Sequence, residues 1–187
     1  MEIIETSLPG VLLIKPRVFG DARGFFLETY SQERYAARGV PGPFVQDNVS
    51  LSQSGVLRGL HLQNPFGQAK LVGVPMGEAF DVAVDVRVGS PTFGQWYGAT
   101  LSGENQHQMY IPTGFAHGFC ALRENTLFSY KCTDLYHPEA ELGIRFDDPD
   151  IGIAWPLTAP RVSQRDAVFP SLRDVPREKL PVFAPAG

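Results

Sequence analysis

Cysteine is scarce in this chain: its 187 residues include only Cys120 and Cys132. Two thiols cannot form a disulfide framework, and both lie in apolar, strand-like stretches where buried free thiols are expected. Long apolar runs are also missing. None approaches 18 residues, so no transmembrane helix is expected. The first ten residues carry Glu2 and Glu5 but no basic segment leading into an apolar one, so no secretory signal is visible. These absences together give the expectation of a cytoplasmic protein. Positive charge is not in excess either, since 16 Lys and Arg against 20 Asp and Glu leave a net charge of −4. That balance argues against nucleic acid or an anionic membrane as a general partner. It leaves local cations free to clamp a small anion.

Turn chemistry is abundant. The 19 glycines and 16 prolines favour many short elements joined by tight turns over a helical bundle. At roughly 150 residues per domain the length points to one domain, 1–187. The stretch 80–88 alternates strictly, with Phe80, Val82, Val84, Val86 and Val88 on one face. Strands are also expected over 56–63, 70–74, 108–111, 119–122 and 126–133, separated by Gly, Pro, Asn or Ser punctuation. Helical signal is confined to 31–38, with Ser31 as N-cap and Gly39 as stop, and to a turn near 176–180. The pattern predicts an all-β fold, a sandwich, jelly roll or barrel, with its β core at about 45–145. A Pro-rich tail, about 156–187, is expected at the periphery.

Four histidines carry much of the chemical signal: His61, His107, His117 and His137. By default a histidine in a strand is a packing or surface residue. His61 stands out because it lies in Leu57-Arg58-Gly59-Leu60-His61-Leu62-Gln63, where a cation and an imidazole interrupt an apolar strand. Their odd spacing places Arg58 and His61 on opposite faces of a regular strand. A bulge at Gly59 would bring both to one side. The plainer alternative, a surface arginine and a core histidine, leaves the two interruptions unexplained.

His117 closes the stretch Pro112-Thr113-Gly114-Phe115-Ala116-His117. This Pro-x-Gly-x-x-His pattern resembles the second signature of the cupins, double-stranded β-helices whose histidines often bind a metal. The first cupin signature has a His-x-His pair, and here the corresponding stretch is His61-Leu62-Gln63. Two histidines fall short of the three or four ligands that a divalent ion takes at fixed geometry. No metal is therefore expected, and a metal-dependent cupin oxygenase is the disfavoured rival.

A closer resemblance covers about residues 2–166. Phe19-Gly20-Asp21-Ala22-Arg23-Gly24-Phe25-Phe26-Leu27-Glu28, Phe44-Val45-Gln46-Asp47-Asn48, the stretches 56–63, 77–86 and 111–119, and Ser90-Pro91-Thr92-Phe93-Gly94-Gln95-Trp96 occur in order. With Tyr130-Lys131 and Ser163-Gln164-Arg165-Asp166 they resemble the family of dTDP-4-dehydrorhamnose 3,5-epimerases. The resemblance implies a cupin-type jelly roll with a few short peripheral helices, no cofactor, and a substrate that is a 4-keto-6-deoxyhexose on thymidine diphosphate. The protons at C3 and C5 are both alpha to the C4 ketone. Inverting those carbons needs a base, a stabiliser for the O4 oxyanion and an acid.

By the same resemblance, His61 is the base, Asp166 its orienting carboxylate, Lys70 the cation at O4 and Tyr130 the acid on the opposite face. Taken alone, Lys70 reads as an edge-strand lysine, Asp166 as a surface acid, and Tyr130 as core packing with Phe128 and Cys132. Arg23, Arg58 and Arg165 suit a diphosphate. Gln46, Asp47, Asn48 and Glu28 are implied contacts to nucleotide or sugar, Phe26 and Tyr136 stacking partners for thymine, and His117 and Glu141 further pocket residues. The family also implies a homodimer in which N-terminal strands, about 1–30, carry Arg23 and Glu28 to the neighbouring subunit's site. Two rivals share parts of this set: an epimerase inverting a single carbon, and a sugar-nucleotide sensor without catalysis.

Overall fold

Short strands joined by turns are the dominant regular elements of the computed structural model, which describes residues 1–184. In chain order the strands are β1 (Glu2–Glu5), β2 (Leu12–Lys15), β3 (Val18–Asp21), β4 (Gly24–Leu27), β5 (Gln46–Ser52), β6 (Leu57–Gln63) and β7 (Lys70–Met76). There follow β8 (Glu78–Asp85), β9 (Trp96–Ser102), β10 (Gln108–Ile111), β11 (Phe115–Ala121), β12 (Thr126–Cys132) and β13 (Glu141–Gly143). One short helix, α1 (Gln32–Ala36), lies between β4 and β5, and Gly39 beyond it takes the left-handed conformation that ends a helix. Ser31 flanks α1 in extended geometry, but its side chain makes no capping bond.

Two antiparallel sheets face each other, in the orders β1-β2-β10-β7-β12-β5 and β13-β6-β11-β8-β9. This is the all-β jelly roll that the motifs implied. Between the sheets lies an apolar core that includes Val72, Val74, Ala79, Ala83, Leu101, Met109, Phe119 and Phe128. The apolar face of β8 is directed the other way. Val82, Val84 and Val86 pack with Leu60, Ile144, Leu172, Val175 and Leu180, so the C-terminal segment covers the outer face of the five-stranded sheet. Alternation in β8 thus separates two buried faces, not a buried and a solvated one. Asp81 and Asp85 share the sandwich-facing side with Ala79 and Ala83, and all four are buried. On the outer face of the six-stranded sheet, Tyr35 of α1 packs with Ile14, Leu71 and Tyr110.

The hairpin β3–β4 pairs only with itself. It exposes Phe19, Phe25 and Phe26, the last at 69%.

Candidate active site

The polar interruptions in β6 converge because the strand is bulged. Opposite β11, His61 pairs with His117 and Arg58 with Phe119, so three steps along β6 meet two along β11. Gly59 makes this possible. Its φ is +125°, and a Cβ there would lie 2.6 Å from Gly118 Cα and 2.8 Å from His117 O. Arg58 and His61 therefore face the same cavity, as the sequence suggested.

That cavity, about 860 Å³, lies between the sheets and takes residues from both. The six-stranded sheet contributes Gln46, Asn48 and Ser50 from β5, Lys70 from β7 and Tyr130 from β12. Gln46, Asn48 and Ser50 share one face of β5, as period-2 alternation requires. The five-stranded sheet contributes Arg58, His61 and Gln63 from β6, His117 from β11 and Glu141 from β13. Lys70 is no edge residue, since β7 is paired on both sides. Tyr130 does share its face with buried Phe128 and Cys132, but it stands where that face meets the cavity.

Asp166 arrives from a 3₁₀ turn 105 positions beyond His61. Its Oδ1 lies 3.0 Å from His61 Nε2, and its Oδ2 accepts the Gly59 N–H at 3.1 Å. Ser163 Oγ accepts the Asp166 N–H at 3.0 Å, fixing the turn. Burial pushes the Asp166 carboxyl up, but the bonds from His61 and Gly59 outweigh it and hold the group below the usual carboxylate range. Phe169 meets the His61 ring edge-on at 5.7 Å. The phenyl has room because Gly143 lacks a side chain; a Cβ there would lie 2.3 Å from the ring.

Burial lowers the Lys70 ammonium pKa and raises that of the Tyr130 phenol. No carboxylate lies within ion-pair distance of Lys70 among the described residues. The cavity can therefore present an imidazole backed by a carboxylate, a cation free of any ion pair and a neutral phenol. At the rim, Tyr136 Oη donates to Glu141 Oε2 at 2.8 Å, and Arg165 pairs with the same oxygen at 2.7 Å. Gln46 holds this rim, its Oε1 accepting the Tyr136 N–H at 2.9 Å.

Gln63, at the position of a cupin ligand histidine, is committed elsewhere. Its amide donates to the carbonyls of Phe66 and Leu135 and accepts the His137 N–H. Among the described residues no group of three His, Cys, Asp or Glu side chains could hold a metal ion.

Four sequence-predicted site residues lie elsewhere. Asp47 points to the opposite face of β5 from Gln46 and Asn48, pairs with Lys131 at 2.9 Å and lines a separate groove of about 250 Å³. Its grouping with its neighbours is corrected by strand alternation. Arg23 and Phe26 sit on the exposed β3–β4 hairpin, where Arg23 bonds Asp21. Glu28, just beyond it, pairs with Arg34. None of the three reaches the cavity of its own chain. Ser50, Gln68, Phe119 and Arg161 line the cavity without having been singled out. Only Ser50 left a signal, the even register it shares with Gln46 and Asn48.

Residues 5–174 match the family model described as dTDP-4-dehydrorhamnose 3,5-epimerase. A protein of that name from Neisseria gonorrhoeae is 56% identical over 167 residues, which are 89% of this chain and 51% of that protein. The chain thus spans about half the length of that relative. A second, from Methanothermobacter thermautotrophicus, is 51% identical over 176 residues, covering 92% of this chain and 95% of that one. Among solved structures, a dTDP-6-deoxy-D-glucose-3,5-epimerase from Legionella pneumophila, in complex with dTDP-4-keto-L-rhamnose, superposes with a TM-score of 0.95. It shares 51% identity over 98% of both chains.

Proposed function

The chain belongs to the dTDP-4-dehydrorhamnose 3,5-epimerase family, and from that premise we propose that it inverts C3 and C5 of dTDP-4-dehydro-6-deoxy-D-glucose, giving dTDP-4-dehydro-L-rhamnose. The observation that carries this reading is the meeting of the His61–Asp166 pair, Lys70 and Tyr130 in one cavity. Asp166 accepts a hydrogen bond from the Nε2–H of His61, so the Nδ1 lone pair is the base that removes the proton alpha to the ketone. The C–H electron pair becomes the enolate, whose O4 charge meets the Lys70 ammonium. Tyr130 Oη returns a proton to the opposite face, and the carbon is inverted. The raised phenol pKa keeps Tyr130 protonated at neutral pH, as a donor requires.

Arg58 and Arg165 clamp the diphosphate, and Tyr136 stacks on the base. The exposed apolar hairpin β3–β4 supports a homodimer in which Arg23, Phe26 and Glu28 complete the partner's site. Incubation with the keto-sugar nucleotide in deuterated buffer, read by NMR, tests the assignment. Deuterium and inversion are expected at both C3 and C5. Inversion confined to one carbon would reassign the chain to a single-carbon epimerase.

A further inference from the structure

A second histidine–aspartate pair adjoins the first. His117 is the cross-strand neighbour of His61, and its Nε2 lies 2.7 Å from Asp81 Oδ1. Asp81 is wholly buried on the sandwich-facing side of β8, between Ala79 and Ala83. Its second oxygen, Oδ2, is buried with no hydrogen-bond partner among the described residues. A carboxylate oxygen left unpaired in a core destabilises the fold. An apolar residue of similar size would suit the surrounding core better, so stability does not account for this carboxylate.

We propose that Asp81 is a positioning residue for the epimerisation. It holds His117 in the tautomer with its proton on Nε2 and leaves the Nδ1 lone pair as the acceptor for a hydroxyl of the bound sugar. An ionised carboxylate only accepts, so Nε2 must donate. Burial lowers the His117 pKa, and Lys70 and His61, which also face the ring, push the same way, while Asp81 opposes them. The ring is therefore neutral, and a neutral ring protonated on Nε2 has a bare Nδ1. Phe128 lies against the imidazole from the six-stranded sheet, with centroids 6.0 Å apart, so the ring is held on two sides. His117 lines the cavity together with Lys70. An acceptor here selects a substrate that offers a hydroxyl beside the keto group.

The functional part of this proposal rests on the epimerase reading, but the tautomer does not. Nitrogen-15 NMR of histidine-labelled protein, without substrate, is expected to show His117 neutral and protonated on Nε2 at neutral pH, about 7 to 8. A His117 protonated on Nδ1 alone, or on both nitrogens, at neutral pH would overturn the proposal. Asp81→Val removes the acceptor and the orphan oxygen together. The expected result is a kcat at least tenfold lower, an unchanged affinity for dTDP and a Tm equal to or above that of the parent. Asp81→Asn restores an acceptor without the charge and is expected to recover part of that kcat. Parental kcat in Asp81→Val would refute the role. So would a kcat loss in both variants that tracks a fall in Tm. A parent protein inactive on the keto-sugar nucleotide would instead refute the epimerase reading and leave the tautomer result standing.

Discussion

Asp166→Asn tests the base assignment more sharply than removal of His61, because the shape of the site is preserved. Asp166 accepts two hydrogen bonds, one on each oxygen, from His61 Nε2 and from the Gly59 amide. Asparagine has one acceptor oxygen and one amide group, so one of these partners loses its acceptor. The Gly59 N–H is fixed as a donor by the backbone, whereas the imidazole can move its proton. The amide oxygen therefore stays with Gly59, and the NH₂ faces His61 Nε2. That nitrogen becomes an acceptor, the ring proton moves to Nδ1, and the base lone pair in the cavity is lost. A hydrogen bond to a charged group contributes about 1.5–3 kcal/mol. At about 1.4 kcal/mol per decade this corresponds to a kcat about 10- to 150-fold lower. Stability should fall less conspicuously. A loss of about 1–3 kcal/mol in a chain of this length lowers Tm by roughly 2–12 °C. Solvent deuterium entry at C3 and C5, followed by NMR at a temperature where the variant is folded, reads the chemistry directly. Exchange at the parental rate would refute the pairing as the source of the base.

Gly59→Ala places a methyl 2.6 Å from Gly118 Cα at a φ of +125°; backbone strain and overpacking each cost about 1–3 kcal/mol. Chemical denaturation is expected to show a loss of that combined size, and a change under 1 kcal/mol would contradict the bulge geometry. Tyr130→Phe keeps the ring and removes the donor, so His61 still removes and returns protons on its own side. NMR of the recovered sugar should then show deuterium without inversion, most clearly at C5, whereas normal inversion at both carbons would return Tyr130 to core packing. Burial raises the Asp85 pKa, but bonds from Arg87, Ser90 and Thr92 together hold it below the usual value. A depressed folded pKa contributes stability that is complete above the unfolded value, near 4, and is lost as pH falls through the folded one. Below pH 4 the Tm of Asp85→Asn should therefore fall less steeply than that of the parent, and parallel acid limbs would rule out this linkage.

Much of the sheet structure and part of the site could be read from the sequence alone, because both depend on local periodicity. Alternation put Tyr130 with Phe128 and Cys132, and the interrupted apolar run around Gly59 marked a bulge that would align Arg58 with His61. Those inferences need only the chain's period of two and the conformational freedom of glycine. The same rule separates Asp47 from Gln46 and Asn48, although all three lie in one contiguous motif.

What alternation cannot state is which face of a strand is the interior. In β8 the valines face outward beneath the C-terminal segment, while two aspartates face the sandwich. Only the packing of distant segments decides that. Asp166 reads locally as a loop acid and becomes a histidine's partner only when a turn 105 residues away closes on β6. Lys70 changes from a plausible surface cation to a cavity cation because β10 and β12 flank its strand on both sides. Residue types and their order set the local geometry. Burial, partners and charge states depend on surfaces that meet only after the chain has folded.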